Sequence, residues 1–413
     1  MSLAQVFHYH NGQLHCEDVA LATLAKQVGT PCYVYSKNAI RENFQAFRST
    51  FERVDPLICY AVKANSNLSI LRLLKEEGSG FDVVSGGELF RLRQIDANPR
   101  SVIFSGVGKT VDELKMALEM PVLSLNVESV EELETLMSLS REMGVCPDIS
   151  LRVNPDVESP THPYISTGLR EHKFGIDLDR IEHITALLKE SHSVRLTGLG
   201  FHIGSQILDV QPFMDSFTIL LKVAGELEAE GFKIEHLDLG GGIGIPYQDE
   251  EEPDLSVYAD LLAAHQGDRR ILFEPGRYIV GNTGVLLSTV LYRKAANEKT
   301  FLIVDGAMND LIRPSLYQAY HEIRPLQQTE ADSMVMDVVG PVCETGDFFA
   351  RDRRLPPLDP GDLLAVMNAG AYGFVAASNY NTRPRAPEVW VDRDHFEVIR
   401  ERESLEDCIR GEG

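Results

Sequence analysis

Short apolar runs recur along the middle of the chain, each followed by a turn and then by a stretch whose apolar residues keep helical spacing. The runs are Leu57–Lys63, Phe81–Ser85, Val102–Gly106, Val122–Val127, Ile149–Pro155, Leu196–Gly204, His236–Gly242 and Ile271–Gly276. After the first run come Leu68, Ile70, Leu71, Leu73 and Leu74, the spacing of a helix with one buried face. Ser85 with Glu88, Thr110 with Glu113, and Ser129 with Glu132 read as capping boxes, a hydroxyl followed three residues later by a carboxylate. Eight strand–helix units in succession predict a (β/α)8 barrel, in which each helix returns the chain to begin the next parallel strand. The alternative is a doubly wound open sheet. It calls for a dinucleotide-type glycine loop early in the chain, and none is present.

After Gly276 the pattern changes. Val285–Tyr292, Phe301–Asp305, Met334–Val338, Leu363–Met367 and Glu388–Val391 are strand-like and separated by Gly/Pro/Asp turns, which predicts a mainly antiparallel β domain. The first 35 residues hold two further strand-like pieces, Val6–Tyr9 and Tyr33–Tyr35. The expected division is an N-terminal segment, 1–35, packing with the β domain, a barrel over 36–280 and the β domain over 281–413.

A chain of 413 residues is long enough for the two domains that this pattern suggests. The net charge of -23 argues against nucleic acid or an anionic membrane as a partner, since both need a basic face. Six scattered cysteines without a CxxC pair point to a reduced, cytoplasmic protein and not to a disulfide scaffold or zinc site. The N-terminal residues show no basic segment leading into an apolar run, and no stretch has the length of a membrane helix.

In a barrel the chemistry sits at the carboxyl ends of the strands. Those ends carry Lys63, Asp82 with Ser85, Ser105, Asn126, Arg152 with Asn154, His202 with Ser205, Gly240–Gly242, and Glu274 with Arg277. A lysine ending an apolar strand is partly desolvated and suited to attack an aldehyde, although a lysine there can equally snorkel to solvent. Gly240-Gly241-Gly242 reads either as an ordinary turn or as backbone bare enough for N–H groups to hold phosphate. His202 can lie flat against an aromatic ring. Glu274 can hold a proton on a pyridine nitrogen, or pair with Arg277. In the β domain, Cys343 lies in the polar loop Gly340–Asp347 and Tyr372 in the glycine-rich loop Asn368–Gly373.

Taken in order, Tyr60–Asn65, Phe201–Ser205, Gly240–Gly242, Glu274–Arg277, Cys343–Asp347 and Gly370–Gly373 resemble the fold-type III pyridoxal-phosphate (PLP) decarboxylases, most closely the diaminopimelate decarboxylase family. The stretches Asn154–Gly175, Asp310–Tyr317 and Ser378–Asn381 match it too, so the resemblance spans nearly the whole chain. It implies an alanine-racemase-like barrel with a β domain, PLP as cofactor, and a homodimer with shared active sites. By motif, Lys63 carries PLP, His202 stacks on its ring and Glu274 faces its nitrogen. Ser205, Gly240, Gly241, Gly242, Gly276 and Arg277 hold the phosphate region, with Tyr372 completing the cofactor site. Cys343 of the partner subunit is the expected general acid. Arg277, Arg313 and Tyr317 match the contacts to a distal carboxylate, and Glu344 the contact to a distal ammonium.

The resemblance implies decarboxylation of meso-2,6-diaminopimelate to L-lysine. A same-fold decarboxylase of ornithine, arginine or carboxynorspermidine is the nearest alternative. It would leave the arginines unpaired. A racemase would need a second base where Cys343 stands. A non-catalytic relative that only binds a partner would be expected to lose Lys63 or Cys343, and both are present.

Overall fold

The computed structural model describes residues 6–157, 173–296 and 299–413. Residues 158–172 of the Asn154–Gly175 match lie outside the described residues. The chain divides into two compact units, one of Met1–Asn43, Pro246–Glu250 and Arg277–Gly413, the other of Phe44–Ile245 and Glu251–Gly276.

The second unit is the barrel. Its strands are Leu57–Ala61, Gly80–Val83, Val102–Phe104, Ser124–Val127, Asp148–Asn154, Arg195–Gly200, His236–Asp238 and Arg270–Phe273. Each pairs in parallel with the next, and the eighth pairs back onto the first at Leu272↔Leu57 and Phe273↔Ile58, closing the sheet. Most of the observed strands are shorter than the apolar runs, and several runs turn out of the ladder at their polar end. Lys63, for one, sits in the single 3-10 turn Val62–Ala64 and not in the strand itself.

Strand alternation decides what fills the barrel. Leu57 and Cys59 of the first strand cluster with Ile103 and Leu272. Nearby strands put polar groups inside: Ser124 Oγ lies 2.8 Å from Ser150 Oγ, which lies 2.7 Å from His236 Nε2. The sixth strand makes room with Gly198, where a Cβ would fall 2.1 Å from His236 Nε2.

The helices start as their sequences direct. Leu68–Glu76 is capped by the Asn67 side chain, which accepts from Ser69 N–H, and it buries Ile70, Leu71, Leu73 and Leu74. Of the three expected capping boxes, only Thr110 with Glu113 is reciprocal. Ser85 and Ser129 do accept from the backbone of Glu88 and Glu132, but those carboxylates reach one residue further back, to the N–H groups of Val84 and Glu128. In both helices the side chain thereby ties down the strand end that carries the site.

The first unit is built on a sheet in which Cys32–Ser36 lies between Gly284–Ala296, antiparallel, and Glu388–Asp392, parallel. Val34 is therefore opposite both Val285 and Val389, and all three are fully buried. Their core also takes in Leu14, Leu24, Leu287 and Val391. Phe7–His10 and Gln13–Cys16 form an antiparallel hairpin over it. Among the described residues, no helix is long and apolar enough to cross a membrane, and no three His, Cys, Asp or Glu side chains are placed to hold a metal.

Candidate active site

The barrel's strand ends enclose a cavity of about 270 Å³. Its walls include Lys63, Ser105, Asn126, Arg152, His202, Asp238 and Glu274. Lys63 Nζ donates to Asp82 Oδ2 at 2.6 Å; the lysine side chain keeps 30% of its surface open while Asp82 is fully buried. Beside them, Glu88 is pushed by burial up to about 7.

Glu274 is buried. Ser105 Oγ donates to its Oε1 at 3.1 Å, and the amide of Asn126 donates to Ser105 Oγ and to Asp238 Oδ2, each at 3.1 Å. Burial, then the nearby charges of Asp238 and Asp82, raise the Glu274 carboxyl well above the ordinary carboxylate range. Burial likewise lifts Asp238, to about 6. Each of the two buried carboxyl groups feels the other, so a proton held on one removes most of the repulsion.

His202 is held well below its ordinary value by burial and by the charges of Arg152 and Lys63. Gly241 N–H donates to its Nδ1 at 3.1 Å. A Cβ at Gly240, Gly241 or Gly242 would fall 2.3, 2.1 or 2.2 Å from the carbonyl oxygens of Phe201, Glu274 and Gly204 respectively. Three successive glycines are thus required for the loop to pass between the neighbouring strand ends. Two of its N–H groups are already used, Gly240's on Asp238 Oδ1 and Gly241's on His202. Ser205 is half-buried beside this loop's bridge from Ile207 to Ile243. Gly276 packs on the Lys63 turn, where a Cβ would lie 2.9 Å from that of Ala64. Arg152 is fixed by Glu128, with Nη1 2.9 and 3.0 Å from the two carboxylate oxygens.

The remaining predicted residues belong to the β unit. Arg277 is buried, donates from Nη1 to the Tyr247 hydroxyl at 2.7 Å, and lies 4.9 Å from the centre of the Tyr372 ring. Tyr372 holds a φ of 56°, costly for an aromatic residue and a sign that its placement is enforced. Arg313 is also buried, 4.7 Å over the Tyr247 ring, with Nη1 2.8 Å from His321 Nε2. Tyr317 is half-buried in the same short helix as Arg313. Cys343 and Glu344 are exposed on a loop whose turn is held by Asp347, a carboxylate that accepts the N–H groups of Met308 and Val342 at 2.7 Å each. Sequence reasoning singled out neither Tyr247, His321, Asp238 nor Glu128. Each is an isolated polar residue in its segment, and its importance comes from partners remote in the chain.

A barrel with a lysine, a buried carboxyl and a neutral histidine in one cavity is the chemistry of a pyridoxal enzyme. Residues 37–281, more than half of the chain, match the family model described as pyridoxal-dependent decarboxylase, pyridoxal binding domain. The chain belongs to that family, and it is a PLP-dependent carboxy-lyase. Within the family it is similar to diaminopimelate decarboxylases: 48% identical over 98% of both chains to that of Pseudomonas aeruginosa, and 50% over 97% of this chain and 96% of the other in Vibrio cholerae. Among solved structures, diaminopimelate decarboxylase from Helicobacter pylori complexed with L-lysine matches with a TM-score of 0.91 and 44% identity, covering 94% of this chain and 98% of that one. The M. jannaschii enzyme in co-complex with L-lysine matches with a TM-score of 0.93 and 34% identity over 100% and 98%.

Proposed function

We propose that this chain decarboxylates meso-2,6-diaminopimelate at its D-centre, releasing CO2 and L-lysine in the last step of lysine biosynthesis. The observation that carries the substrate is the pair of buried guanidiniums, Arg277 and Arg313, around the Tyr247 hydroxyl. Two buried guanidiniums make a site suited to an anion, and planar guanidinium matches carboxylate. Ornithine and arginine end in a cation and offer nothing to such a pair.

The cavity residues fit PLP. Lys63 presents an amine to the opening, Glu274 a buried carboxyl with its proton, and Asn126 Oδ1 is a buried acceptor without a hydrogen-bond partner among the described residues. Lys63 would bind the cofactor covalently, His202 lie against its ring and Glu274 meet its nitrogen, with Ser205, the Gly240–Gly242 loop, Gly276, Arg277 and Tyr372 around its phosphate. When bound, PLP supplies the electron sink for the pair left on the substrate carbon as CO2 departs. Lys63 must shed a proton before its amine can act, and Asp82, 2.6 Å away, is the acceptor at hand. Glu274 would hold its proton toward the ring nitrogen. His202, kept neutral, would lie against the ring without adding a charge to it. Arg277, Arg313 and Tyr317 grip the distal carboxylate and Glu344 the distal ammonium, which fixes the bond to be broken. Cys343, entering from the partner subunit of a homodimer, returns a proton to the carbon from one side. The six free cysteines accord with a cytoplasmic enzyme.

The test is the visible spectrum of the protein with PLP, together with CO2 release from meso-diaminopimelate, ornithine and arginine. An absorption band lost in Lys63→Ala, with CO2 from diaminopimelate alone, is expected. CO2 from ornithine alone would overturn the substrate, and no band would overturn the cofactor site.

A further inference from the structure

We propose that Tyr247 and His321 are positioning residues that hold Arg277 and Arg313 as a carboxylate clamp, and that substrate selectivity depends on both. The inference rests on the substrate reading above and deepens it.

Two guanidiniums near one aromatic ring repel each other, and proteins usually relieve such a pair with a carboxylate. Here the Tyr247 hydroxyl takes that place. Arg277 Nη1 donates to it at 2.7 Å, and the Arg313 guanidinium lies 4.7 Å over the same ring. The two cations outweigh the effect of burial on this phenol and bring it below its ordinary value. Tyr247 is thus polarised by both arginines.

His321 completes the arrangement from the other side. It is fully buried, and its Nδ1 lies 2.7 Å from the Met367 carbonyl oxygen, which can only accept. The ring proton is therefore on Nδ1, and Nε2 is left as the acceptor for Arg313 Nη1 at 2.8 Å. Burial, and then the charge of Arg313, keep the imidazole neutral. The Tyr247 and His321 rings meet edge to face, 5.5 Å apart at 82°, so each limits the movement of the other. Among the described residues Arg313 has no carboxylate partner. An acid at either position would halve the charge offered to a ligand. A phenol and an imidazole orient the forks and bring no carboxylate to them.

The test compares L-lysine with 1,5-diaminopentane, the same molecule without its carboxylate, by calorimetry on the PLP-loaded enzyme. Tyr247→Phe removes one oxygen and keeps the ring, and retention of the PLP band confirms that the variant is folded. We expect its affinity for L-lysine to fall at least about tenfold while that for 1,5-diaminopentane is unchanged. KM for meso-diaminopimelate should rise by a similar factor, with kcat altered much less. His321→Leu should behave like Tyr247→Phe. His321→Gln, which can keep an acceptor toward Arg313, should recover most of the loss. If folded variants still prefer L-lysine as strongly as the wild type, or weaken both ligands equally, the positioning role is overturned and the substrate reading stands. If the wild type itself binds the two ligands equally, the substrate reading falls and this proposal with it.

Discussion

The backbone N–H of Gly241 donates to Nδ1 of His202 at 3.1 Å, which leaves the proton of the neutral ring on Nε2. Gly241 can reach the imidazole only because it passes a Glu274 carbonyl oxygen so closely that any Cβ would collide with it. One backbone crossing thus fixes the tautomer of His202 and the approach of the strand that ends in Glu274.

Gly241→Ala should therefore damage the cofactor site more than its one methyl suggests. The added Cβ would meet backbone, which cannot swing aside as a side chain could. We expect PLP to be held at least about tenfold more weakly, with a loss of roughly 1–3 kcal/mol in stability. Titration of PLP into the apoenzyme and urea unfolding check the two parts. Unchanged PLP affinity would mean that the loop does not orient the site.

Glu274→Gln keeps the shape of the side chain and an acceptor for Ser105 Oγ, but cannot pass a proton between itself and the ring nitrogen. The visible band of bound PLP should survive, KM should change little, and kcat should fall by roughly a hundredfold or more. A kcat within about threefold of wild type would remove Glu274 from its assigned role.

Much of this site was readable in the sequence because a barrel strand shows itself twice, once as an apolar run and again as the polar residue ending it. Lys63, His202 and Glu274 all lie at or within two residues of the ends of such runs, and all line one cavity. The strands that escaped notice include those at the two ends of the β unit's sheet, Phe348–Leu355 and His395–Arg400. An edge strand carries charge along its open side, and Ala350-Arg351-Asp352-Arg353-Arg354 reads as a loop for that reason. Tyr247 and His321 were hidden differently. Tyr247 follows the barrel's triple glycine in the chain yet belongs to the β unit with Arg277 and Arg313, and no local pattern announces such a partnership.

The proposed sharing of active sites between two subunits makes a quantitative prediction. If Lys63 of one subunit works with Cys343 of the other, Lys63→Ala and Cys343→Ala are each inactive as homodimers. Mixed and allowed to exchange, half of the dimers become hybrids with one intact site of two, so activity should return to about a quarter of the wild-type level. The same mixture made under conditions that block exchange is the control. No recovery after proven exchange would place Cys343 in the site of its own chain, or outside the site altogether.

His236 offers a prediction about stability that does not depend on the cofactor. Inside the barrel, with Ser150 Oγ 2.7 Å from its Nε2, burial lowers it to about 4 from an ordinary 6.5. Unfolded, it takes up a proton as the pH falls below about 6.5; folded, it resists until about 4. Across that window the unfolded chain binds more protons, so His236 costs stability as the pH falls, in total on the order of 3 kcal/mol. His202 and His321 act in the same direction and the buried carboxyls Glu274 and Asp238 in the opposite one, so the wild-type profile alone cannot isolate it. The difference between wild type and His236→Gln can, because the other groups are common to both. Urea midpoints at several pH values should show the wild type losing ground to the variant steadily from about pH 6.5 downward. A difference that stays constant with pH would mean that His236 takes up its proton in the folded barrel as readily as in the unfolded chain, and that burial beside Ser150 does not hold it neutral.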